Sequence, residues 1–397
     1  MARSSSRIVV AGAGIAGLTA SLAFAQRGFD VTVLERAPAL EEVGAGLQLS
    51  PNATRILADL GVLARLQVHA VEPREIVLRR AASLRQIGSV PLGADARQRW
   101  GAPYLTIHRA DLQAVLAEAV LKNDAISLRM GATVIDAVLG TSVSFQTEGT
   151  TETVPSHLLV GADGVWSVLR RQIPDASPSR YSGYLAWRAV VEHGDALPYP
   201  LPADRVTTFV HPRFHLVAYP VKSGRAINLV VLTKGERIAD RWATAGDTRD
   251  LLRSMTGMAP ELASLIRAAG AWTKWPLHEV PSAGSWTHPK GIALIGDAAH
   301  AMTPFAAQGA AMAIEDAVAL AAHVTRYSDE NARALREYET ARKPRVAKVA
   351  GRGAFNRFVW HAAGPIALGR DFVLGMRPAT SLAADMDWLY GYDVPRA

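Results

Sequence analysis

Three glycines near the start of the chain have the spacing that binds a pyrophosphate. Residues 12–17 read Gly-Ala-Gly-Ile-Ala-Gly, which fits the pattern G-x-G-x-x-G. Gly12 permits a tight turn, Gly14 lets the backbone approach a phosphate, and Gly17 lets a helix pack closely on a strand. The N–H groups at the start of the next helix have no partner within it and attract an anion. The motif therefore predicts a dinucleotide site.

A carboxylate follows at the distance expected for a ribose. Glu35 closes the second apolar run of the chain, within a few residues of the spacing of about 20 that is typical of such sites. Its oxygens could accept hydrogen bonds from ribose hydroxyls, whereas a basic residue there would favour a 2′-phosphate. FAD or NAD is therefore expected. A glycine-rich turn without a function would leave Glu35 unexplained.

A histidine and a tyrosine later in the chain could act on a phenolic substrate. Residues 213–220 form a strand-like run, so His215, Val217 and Tyr219 share one face. An imidazole there can take a proton from a phenol. The alternatives are a histidine satisfied within the sheet and a tyrosine ring that belongs to the core. We take His215 as the candidate base and Tyr219 as the second catalytic candidate.

The glycine motif requires a strand–helix–strand unit, and the neighbouring residues predict one. Residues 8–11 are apolar and partly β-branched, residues 15–28 have a helical pattern, and residues 31–34 form a second strand-like run. Two further helices are expected at residues 51–60 and 110–121, and a further buried strand at residues 157–161.

A different pattern begins near residue 184. Strand-like runs, separated by turns that contain Gly or Pro, predict a mostly antiparallel sheet; they span residues 184–191, 206–210, 215–220 and 227–232. After them we expect a strand at residues 292–295 and helices at residues 249–254, 260–268, 310–327 and 332–350.

The order of these elements predicts an α/β fold in which the sheet is inserted into a Rossmann-like domain. We assign residues 1–180 and 281–350 to the dinucleotide-binding domain, residues 181–280 to the inserted β-sheet domain, and residues 351–397 to a C-terminal helical segment. Residues 70–105 could add a small piece to the sheet domain.

Three later segments decide between FAD and NAD. They are His108-Arg109-Ala110-Asp111-Leu112, Gly161-Ala162-Asp163-Gly164 and Gly296-Asp297-Ala298-Ala299-His300. With the run over residues 296–317, they resemble the signature of the flavoprotein aromatic hydroxylases, the single-component FAD monooxygenases of the para-hydroxybenzoate hydroxylase fold. The chain is most similar to the branch of salicylate hydroxylase, 3-hydroxybenzoate 6-hydroxylase and 6-hydroxynicotinate 3-monooxygenase, and the supporting runs are residues 44–48, 51–52, 184–188 and 388–393.

The resemblance implies an FAD-binding domain with tightly and non-covalently bound FAD, and no cysteine is present to form a thioether link. It implies that Arg109 contacts phosphate or ribityl groups, that Asp163 and Gly164 serve FAD and the pyridine nucleotide, and that Asp297 binds the ribityl chain. Alone, Asp163 would be a turn residue and Asp297 a helix cap. The implied cofactor contacts are Gly12, Gly14, Ile15, Ala16, Gly17, Glu35, Arg36, Gly46, Gln48, Arg109, Val134, Asp163, Gly164, Asp297, Pro304, Gln308, Gly309, Ala310 and Ala311.

The resemblance also implies a reaction. NADH or NADPH reduces FAD, O2 adds to the reduced flavin as a C4a-hydroperoxide, and an aromatic ring that carries a hydroxyl and, we expect, a carboxylate is hydroxylated. Some relatives carry a polar residue where this chain has Phe305, which leaves a second assisting group open. The alternatives are a non-hydroxylating FAD- or NAD-dependent oxidoreductase, such as a dehydrogenase, and a flavin-bearing binding protein without turnover.

Composition excludes several other classes. None of the 397 residues is a cysteine, which rules out disulfides, zinc–thiolate sites and thiol nucleophiles, and we expect no metal. The net charge of +7 includes no block of like charges, so no nucleic-acid partner is expected. Residues 8–25 lack charge, but the glycines of the nucleotide motif argue against a signal peptide or membrane helix. We expect a cytoplasmic monomer or homodimer that binds no membrane.

Overall fold

Two sheets position the motifs in the computed structural model of the chain. The structure describes residues 7–40, 45–194, 199–238 and 244–395; Gly44, part of one family-like run, lies outside these ranges. A six-stranded sheet, parallel except at one edge and called the parallel sheet below, contains the strand that ends at the glycine motif. A larger, mostly antiparallel sheet carries His215 and Tyr219.

The described residues form 19 strands and 13 α-helices, besides three short 3₁₀ helices. The strands are β1 (Arg7–Ala11), β2 (Asp30–Glu35), β3 (Gly46–Leu49), β4 (Glu75–Arg80), β5 (Gln86–Pro91), β6 (Leu105–His108), β7 (Ile126–Met130), β8 (Thr133–Val138), β9 (Ser142–Thr147), β10 (Thr150–Pro155), β11 (Leu158–Gly161), β12 (Arg180–Glu192), β13 (Arg205–Val210), β14 (Phe214–Val221), β15 (Ala226–Lys234), β16 (Thr244–Gly246), β17 (Trp272–Glu279), β18 (Thr287–His288) and β19 (Ile292–Leu294). The helices are α1 (Ile15–Ala25), α2 (Pro51–Asp59), α3 (Leu63–His69), α4 (Ala94–Trp100), α5 (Arg109–Leu121), α6 (Thr248–Ser254), α7 (Pro260–Ala268), α8 (Asp297–His300), α9 (Gly309–Arg326), α10 (Asn331–Trp360), α11 (Gly364–Met376), α12 (Ala379–Ala384) and α13 (Asp387–Tyr390).

The parallel sheet contains the expected strand–helix–strand unit. Its strand order is β18-β19-β11-β1-β2-β7, and β1 lies parallel to both β2 and β11. Helix α1 connects β1 to β2 and packs against α5 and α9. Four of the five β1 residues are buried, which explains the nearly continuous apolar run in the sequence. The uncharged residues 8–25 therefore belong to this unit. Among the described residues, no helix combines the length and apolar character needed to cross a bilayer.

The second sheet has eight strands in the order β16-β17-β12-β15-β14-β13-β4-β5. All its neighbouring pairs are antiparallel except β13 and β4, which run parallel. The face that carries Leu216, Trp187 and Leu229 packs against Leu251 of α6 and Leu262 of α7. We call the opposite face, which carries His215, Val217 and Tyr219, the inner face. The expected α/β fold with an inserted, mostly antiparallel sheet is confirmed.

The inner face lies close to the parallel-sheet domain. Strand β3 crosses it, and the N–H of Gly46 donates to Asn228 Oδ1 on β15 at 2.7 Å. A Cβ at Gly46 would lie 2.5 Å from Cε2 of Tyr219, closer than real contacts allow. A larger residue would therefore collide with the sheet at this point, and the hydrogen bond ties β3 to β15, the neighbour of the strand that carries His215.

Helix α10 is longer than expected. It extends from Asn331 to Trp360, so the expected end at residue 350 is wrong. Each glycine within a helix costs about 1 kcal/mol relative to alanine. Gly351 and Gly353 therefore favour a helix end near residue 350. Packing overrides that preference, because this part of α10 lies against the 3₁₀ turn Pro304–Ala306. A Cβ on Gly353 would lie 3.8 Å from the Cβ of Ala306. The added turns bring the residue after the helix, His361, to the sheet.

Candidate active site

A cavity of about 260 Å³ lies between the glycine loop, the start of α9 and the inner face of the sheet. It is lined by residues from all three regions that the sequence singled out. The predicted site residues that line it are Gly14, Ile15, Ala16, Gly46, Gln48, Arg109, Gly164, His215, Tyr219, Asp297, Pro304, Gly309 and Ala310. The fold therefore brings residues that are up to about 300 positions apart to one cavity.

The glycine loop has the geometry that its sequence predicts. Gly12 has φ +108°, and a Cβ there would lie 2.5 Å from the carbonyl oxygen of Ala162. A Cβ at Gly17 would lie 1.9 Å from the carbonyl oxygen of Gly12, so α1 could not start so close to β1. Nothing lies within 4 Å of the Cβ position at Gly14, and this residue lines the cavity. The loop is therefore closed on its strand side and open where a phosphate would approach.

Glu35 lies next to the loop and outside the lining of the cavity. Its Oε2 accepts the N–H of Ala13 at 2.7 Å, and its Oε1 accepts the N–H of Ala37 at 2.9 Å. A carboxylate has about four lone-pair sites, so both oxygens can still accept hydroxyl groups. Glu35 is half-buried, whereas Arg36 is exposed.

Asp297 and the first turn of α9 also line the cavity. Asp297 opens the short helix α8, and its carboxylate makes no hydrogen bond or ion pair with a described residue. Gly309 and Ala310 open the 18-residue helix α9, whose N–H groups at this end lack partners within the helix. The positive ends of α1 and α9 therefore both point at the cavity.

Arg170 connects the loop around Gly164 with the start of α8. It is buried, and its guanidinium donates to the carbonyl oxygens of Val165 at 3.1 Å and Ala298 at 2.8 Å. It also donates to the carbonyl oxygen of Asp297 at 3.3 Å. Both loops that line the cavity are thus held by one side chain.

A buried charge network holds the turn that begins α8. Arg342 of α10 donates to Glu315 Oε2 at 2.7 Å and to Asp316 Oδ1 at 2.8 Å. Asp316 Oδ2 accepts the N–H of Gly296 at 2.9 Å and lies 2.5 Å from His300 Nε2. Burial alone would raise the pKa of Asp316, but His300 and Arg342 lower it to about 2. Glu315 and Asp316, which belong to the family-like run over residues 296–317, therefore hold the turn that begins α8 without lining the cavity themselves.

Several predicted cofactor residues lie outside the lining of the cavity. Asp163 Oδ2 accepts the N–H groups of Val168 and Leu169, so it caps a 3₁₀ turn, while its Oδ1 is buried without a partner. Gln308 is buried, and its amide donates to Ser50 at 3.0 Å. The residues outside the lining are Gly12, Gly17, Glu35, Arg36, Val134, Asp163, Gln308 and Ala311.

His215 and Tyr219 both line the cavity from β14, with Val217 between them. Four residues of extended strand separate their Cα atoms by about 13 Å, which leaves the width of an aromatic ring between the two side chains. Burial raises the pKa of Tyr219 above its ordinary value, an effect that Arg188 partly offsets. Tyr219 therefore keeps its proton at neutral pH and can donate a hydrogen bond.

Arg188 also belongs to the cavity, although the sequence did not identify it as a site residue. On β12 it lies in the row of the sheet that contains Val230 and Val217, so it shares the inner face with His215. Its Nε is buried without a hydrogen-bond partner, and no described carboxylate pairs with it. Strand alternation within residues 184–188 would indicate that Arg188 faces the cavity if the pairing of β12 with β15 were known.

His361 is a second residue that the sequence did not identify. Its Nε2 lies 3.1 Å from Nδ1 of His215, and the ring of Tyr184 stacks on it at 6.1 Å between centroids. The rings of Phe305 and Trp360 also pack against His215, at 5.1 and 5.0 Å. No local pattern in the sequence predicts these contacts, because α10 approaches the sheet only after a long excursion of the chain.

Comparison with known proteins agrees with this geometry. A family model described as "FAD binding domain" matches residues 5–352. The 3-hydroxybenzoate 6-hydroxylase of Polaromonas naphthalenivorans is 34% identical over 396 residues, which cover 98% of this chain and 96% of that protein. The chain belongs to the FAD-dependent aromatic hydroxylases. The 6-hydroxynicotinate 3-monooxygenase of Pseudomonas fluorescens is 34% identical over 352 residues, with 87% of this chain and 89% of that protein covered.

A solved structure shares the fold of this hydroxylase. Klebsiella pneumoniae HpxO, in a complex with FAD and uric acid, has a TM-score of 0.82 and 26% sequence identity, and 98% of each chain is covered. The family and the branch that the sequence resembles are thus confirmed, and FAD is the cofactor.

The residues of this hydroxylase fit FAD. The open space beside Gly14 would take the pyrophosphate, and the oxygens of Glu35 have capacity left for ribose hydroxyls. The unpaired carboxylate of Asp297 matches the donors of a ribityl chain, and the start of α9 suits the negative charge of a reduced flavin ring. Asp297 and the first turn of α9 thus present polar or charged groups to the cavity, and Glu35 lies beside the glycine loop with lone pairs left.

Replacing Asp297 with alanine should weaken FAD binding by about 10- to 100-fold, since a hydrogen bond to a charged group contributes about 1.5–3 kcal/mol. Titration of the apoprotein with FAD, followed by flavin fluorescence, gives the dissociation constant. Asp297→Asn retains an accepting oxygen and should lose less. An unchanged dissociation constant for Asp297→Ala would remove this residue from the FAD site.

Proposed function

We propose that the protein hydroxylates a phenolic aromatic carboxylic acid, using O2 and electrons from NADH or NADPH. The observation that carries this proposal is that His215 shares the inner face of the cavity with Arg188, which pairs with no carboxylate of the described residues. A neutral imidazole suits a phenolic proton, and a guanidinium without a counter-ion suits a carboxylate. The relatives named for 3-hydroxybenzoate and 6-hydroxynicotinate support a hydroxylated aromatic substrate.

The inner face offers a site for a flat ring. Val217 and Val230 lie directly opposite each other on neighbouring strands and form an apolar surface between His215 and Tyr219. A ring on this surface would lie within reach of both polar side chains and of Arg188 in the same row. The proposed orientation puts the phenolic hydroxyl at His215 and the carboxylate at Arg188.

His215 would act as the general base. Burial, with a smaller contribution from His361, holds the pKa of His215 well below 6.5, so the ring is neutral at pH 7 and free to accept a proton. A phenolate has more electron density at its ortho and para carbons than a phenol, so this proton transfer activates the ring. Tyr219, which keeps its proton, would hold the substrate by a hydrogen bond.

FAD, when bound, supplies the hydride acceptor and the activation of O2. The chain contributes position and environment: the ends of α1 and α9 favour negative charge, and apolar side chains such as Val217 and Leu232 keep water away. Dry surroundings favour hydroxylation, because water promotes the release of hydrogen peroxide instead.

The source of electrons belongs to the same proposal. The sequence contains no second G-x-G-x-x-G motif, which fits a nicotinamide coenzyme that binds transiently rather than in a Rossmann domain of its own. A cytoplasmic location is part of the proposal, since the absence of cysteine fits a reducing compartment that contains NADH and NADPH.

The test is the oxidation of NADH and NADPH by the purified holoenzyme with a panel of aromatic acids. Hydroxybenzoates and hydroxynicotinates should stimulate oxidation and yield a hydroxylated product. Benzoate, which lacks the hydroxyl, and phenol, which lacks the carboxylate, are the matched controls and should yield little. If only neutral, non-phenolic compounds give oxygenated products, the proposal fails.

Arg188→Met should weaken binding of a hydroxybenzoate by about 30-fold or more, since losing one partner of a buried charge pair costs about 2–5 kcal/mol. Binding is measured from the perturbation of the flavin spectrum. The same variant should bind the corresponding hydroxybenzamide almost as the wild type does, because the amide carries no charge. Equal losses for acid and amide would show that Arg188 does not recognise the carboxylate.

A further inference from the structure

His361 contacts the proposed base from outside the cavity. Its Nε2 lies 3.1 Å from Nδ1 of His215, although 146 residues separate the two in sequence. His215 lines the cavity, whereas His361 lies behind it at the C-terminal end of α10. Because Nδ1 of His215 is engaged by His361, Nε2 is the nitrogen left to meet a substrate.

His215 is a poor place for a proton to remain. Its side chain is 1% exposed, and the rings of Phe305 and Trp360 pack against it. No described carboxylate bonds to it. An imidazolium in such surroundings would be a buried cation without a counter-ion, which is costly. A base at this position therefore needs a way to pass its proton on.

His361 provides such a way because it is half-buried and lies nearer the solvent. Burial, Lys234, Arg357 and His211 together lower its pKa to about 4, so a proton that reaches this ring is released rather than held. The last carbonyl groups of the 30-residue helix α10 favour a positive charge at this end and ease its passage.

The remaining neighbours of the pair do not compete for the proton. Tyr184 on β12 stacks on His361 with 26° between the ring planes, and burial raises the pKa of Tyr184 above its ordinary value. Phe305 and Trp360 offer no base. Among the described residues, the two imidazoles therefore form the polar route from the cavity at this point.

We propose that His361 is a positioning residue that relays the substrate's proton out of the active site. The inference rests on the proposed function. The phenolic proton moves to Nε2 of His215, the proton on Nδ1 of His215 moves to Nε2 of His361, and the proton on Nδ1 of His361 leaves to water. His215 ends neutral in its other tautomer, the substrate ends as a phenolate, and no electron is transferred.

The test follows the ionisation of a bound chromophoric phenol on oxidised holoenzyme, without turnover. 3-Hydroxy-4-nitrobenzoate is bound at acidic pH, the pH is raised in a stopped-flow instrument, and the absorbance of the nitrophenolate is recorded. His361→Phe and His361→Gln should both ionise this compound at least tenfold more slowly than the wild type. The glutamine variant separates the orientation of His215 from proton transfer, since the amide can hold His215 by a hydrogen bond but cannot pass a proton.

The matched control is His211→Gln, which alters a half-buried histidine near His361 that does not bond to His215. Its rate should equal that of the wild type. FAD content and the affinity for the nitro compound should be unchanged in every variant. Added imidazole should restore the rate in His361→Ala, because the free base can occupy the vacated space and carry the proton.

Each other outcome contradicts the relay. A wild-type rate in His361→Gln would leave His361 with an orienting role only, and equal slowing in His211→Gln would attribute the effect to local charge. If His361→Phe loses FAD, the glutamine and alanine variants decide the question. A wild-type enzyme that neither ionises this phenol nor hydroxylates any acid of the panel would refute the proposed function, and the relay with it.

Discussion

Replacing His215 with alanine is expected to slow hydroxylation by about 10²–10⁴-fold, the usual cost of losing one positioned acid–base group. FAD binding and reduction by NADH should be unaffected, because His215 lies on β14 and not on the glycine loop. The undeprotonated substrate would react slowly, so more hydrogen peroxide should form per NADH consumed. Yields of product and peroxide per NADH measure the effect.

The pH dependence provides a second measurement of the same role. Since the pKa of His215 lies well below 6.5, the rate of the wild type should not fall between pH 8 and pH 6.5 through protonation of this base. His215→Gln fills the same space without a base and should behave as His215→Ala does. Wild-type rate and coupling in both variants would make His215 a sheet residue and Tyr219 the next candidate.

Replacing Arg342 with methionine should destabilise the protein by about 3–5 kcal/mol, the usual cost of removing one partner from a buried ion pair. The change leaves the buried Glu315 with Arg345 and the buried Asp316 with His300, and neither carboxylate keeps its bond to Arg342. The midpoint of denaturant unfolding at a fixed FAD concentration measures the loss. FAD occupancy should fall as well, because Asp316 holds the N–H of Gly296.

The matched control lies on the same helix. Arg333→Met removes an exposed ion pair with Glu330, and such pairs contribute about 1 kcal/mol or less to stability.

The sign of the pH dependence follows from Asp316, whose pKa of about 2 lies below the ordinary 3.8. The pairing of Asp316 therefore stabilises the fold above about pH 4, and this stabilisation is lost as the pH falls through 2. The difference between wild type and Arg342→Met should therefore narrow in acid. Equal midpoints at pH 7 would contradict the stabilising role.

The parts of the fold that sequence analysis predicted are those with local signals. The strand–helix–strand unit depends on the positive φ of Gly12, which favours glycine, and on the close contact between Gly17 and the carbonyl oxygen of Gly12, five residues away. The common face of His215 and Tyr219 follows from strand alternation alone. The length of α10 was not predicted, because its packing on a distant 3₁₀ turn overrides the weak helix propensity of Gly353.

The site could be predicted only in part for the same reason. Asp163 illustrates the limit: the motif gives its position, but the structure has it capping Val168 and Leu169 outside the lining of the cavity. Arg188 lies within a run that resembles the family, yet its inward direction depends on the pairing of β12 with β15. The contacts of Phe305 with His215 likewise join segments that no pattern connects.

By itself, the sequence determined that the chain binds a dinucleotide through a glycine loop, that FAD is favoured, and that His215 shares a face with Tyr219. Those conclusions rest on backbone conformation and side-chain alternation, which are properties of short segments. Only the tertiary structure decided that Arg188 enters the cavity with no carboxylate of the described residues paired to it, and that His361 contacts His215. The direction of Arg188 depends on a strand pairing across more than 40 residues, and the contact of His361 depends on helix packing across more than 140 residues. The physical reason is that the burial of whole surfaces, rather than local propensity, selects such contacts.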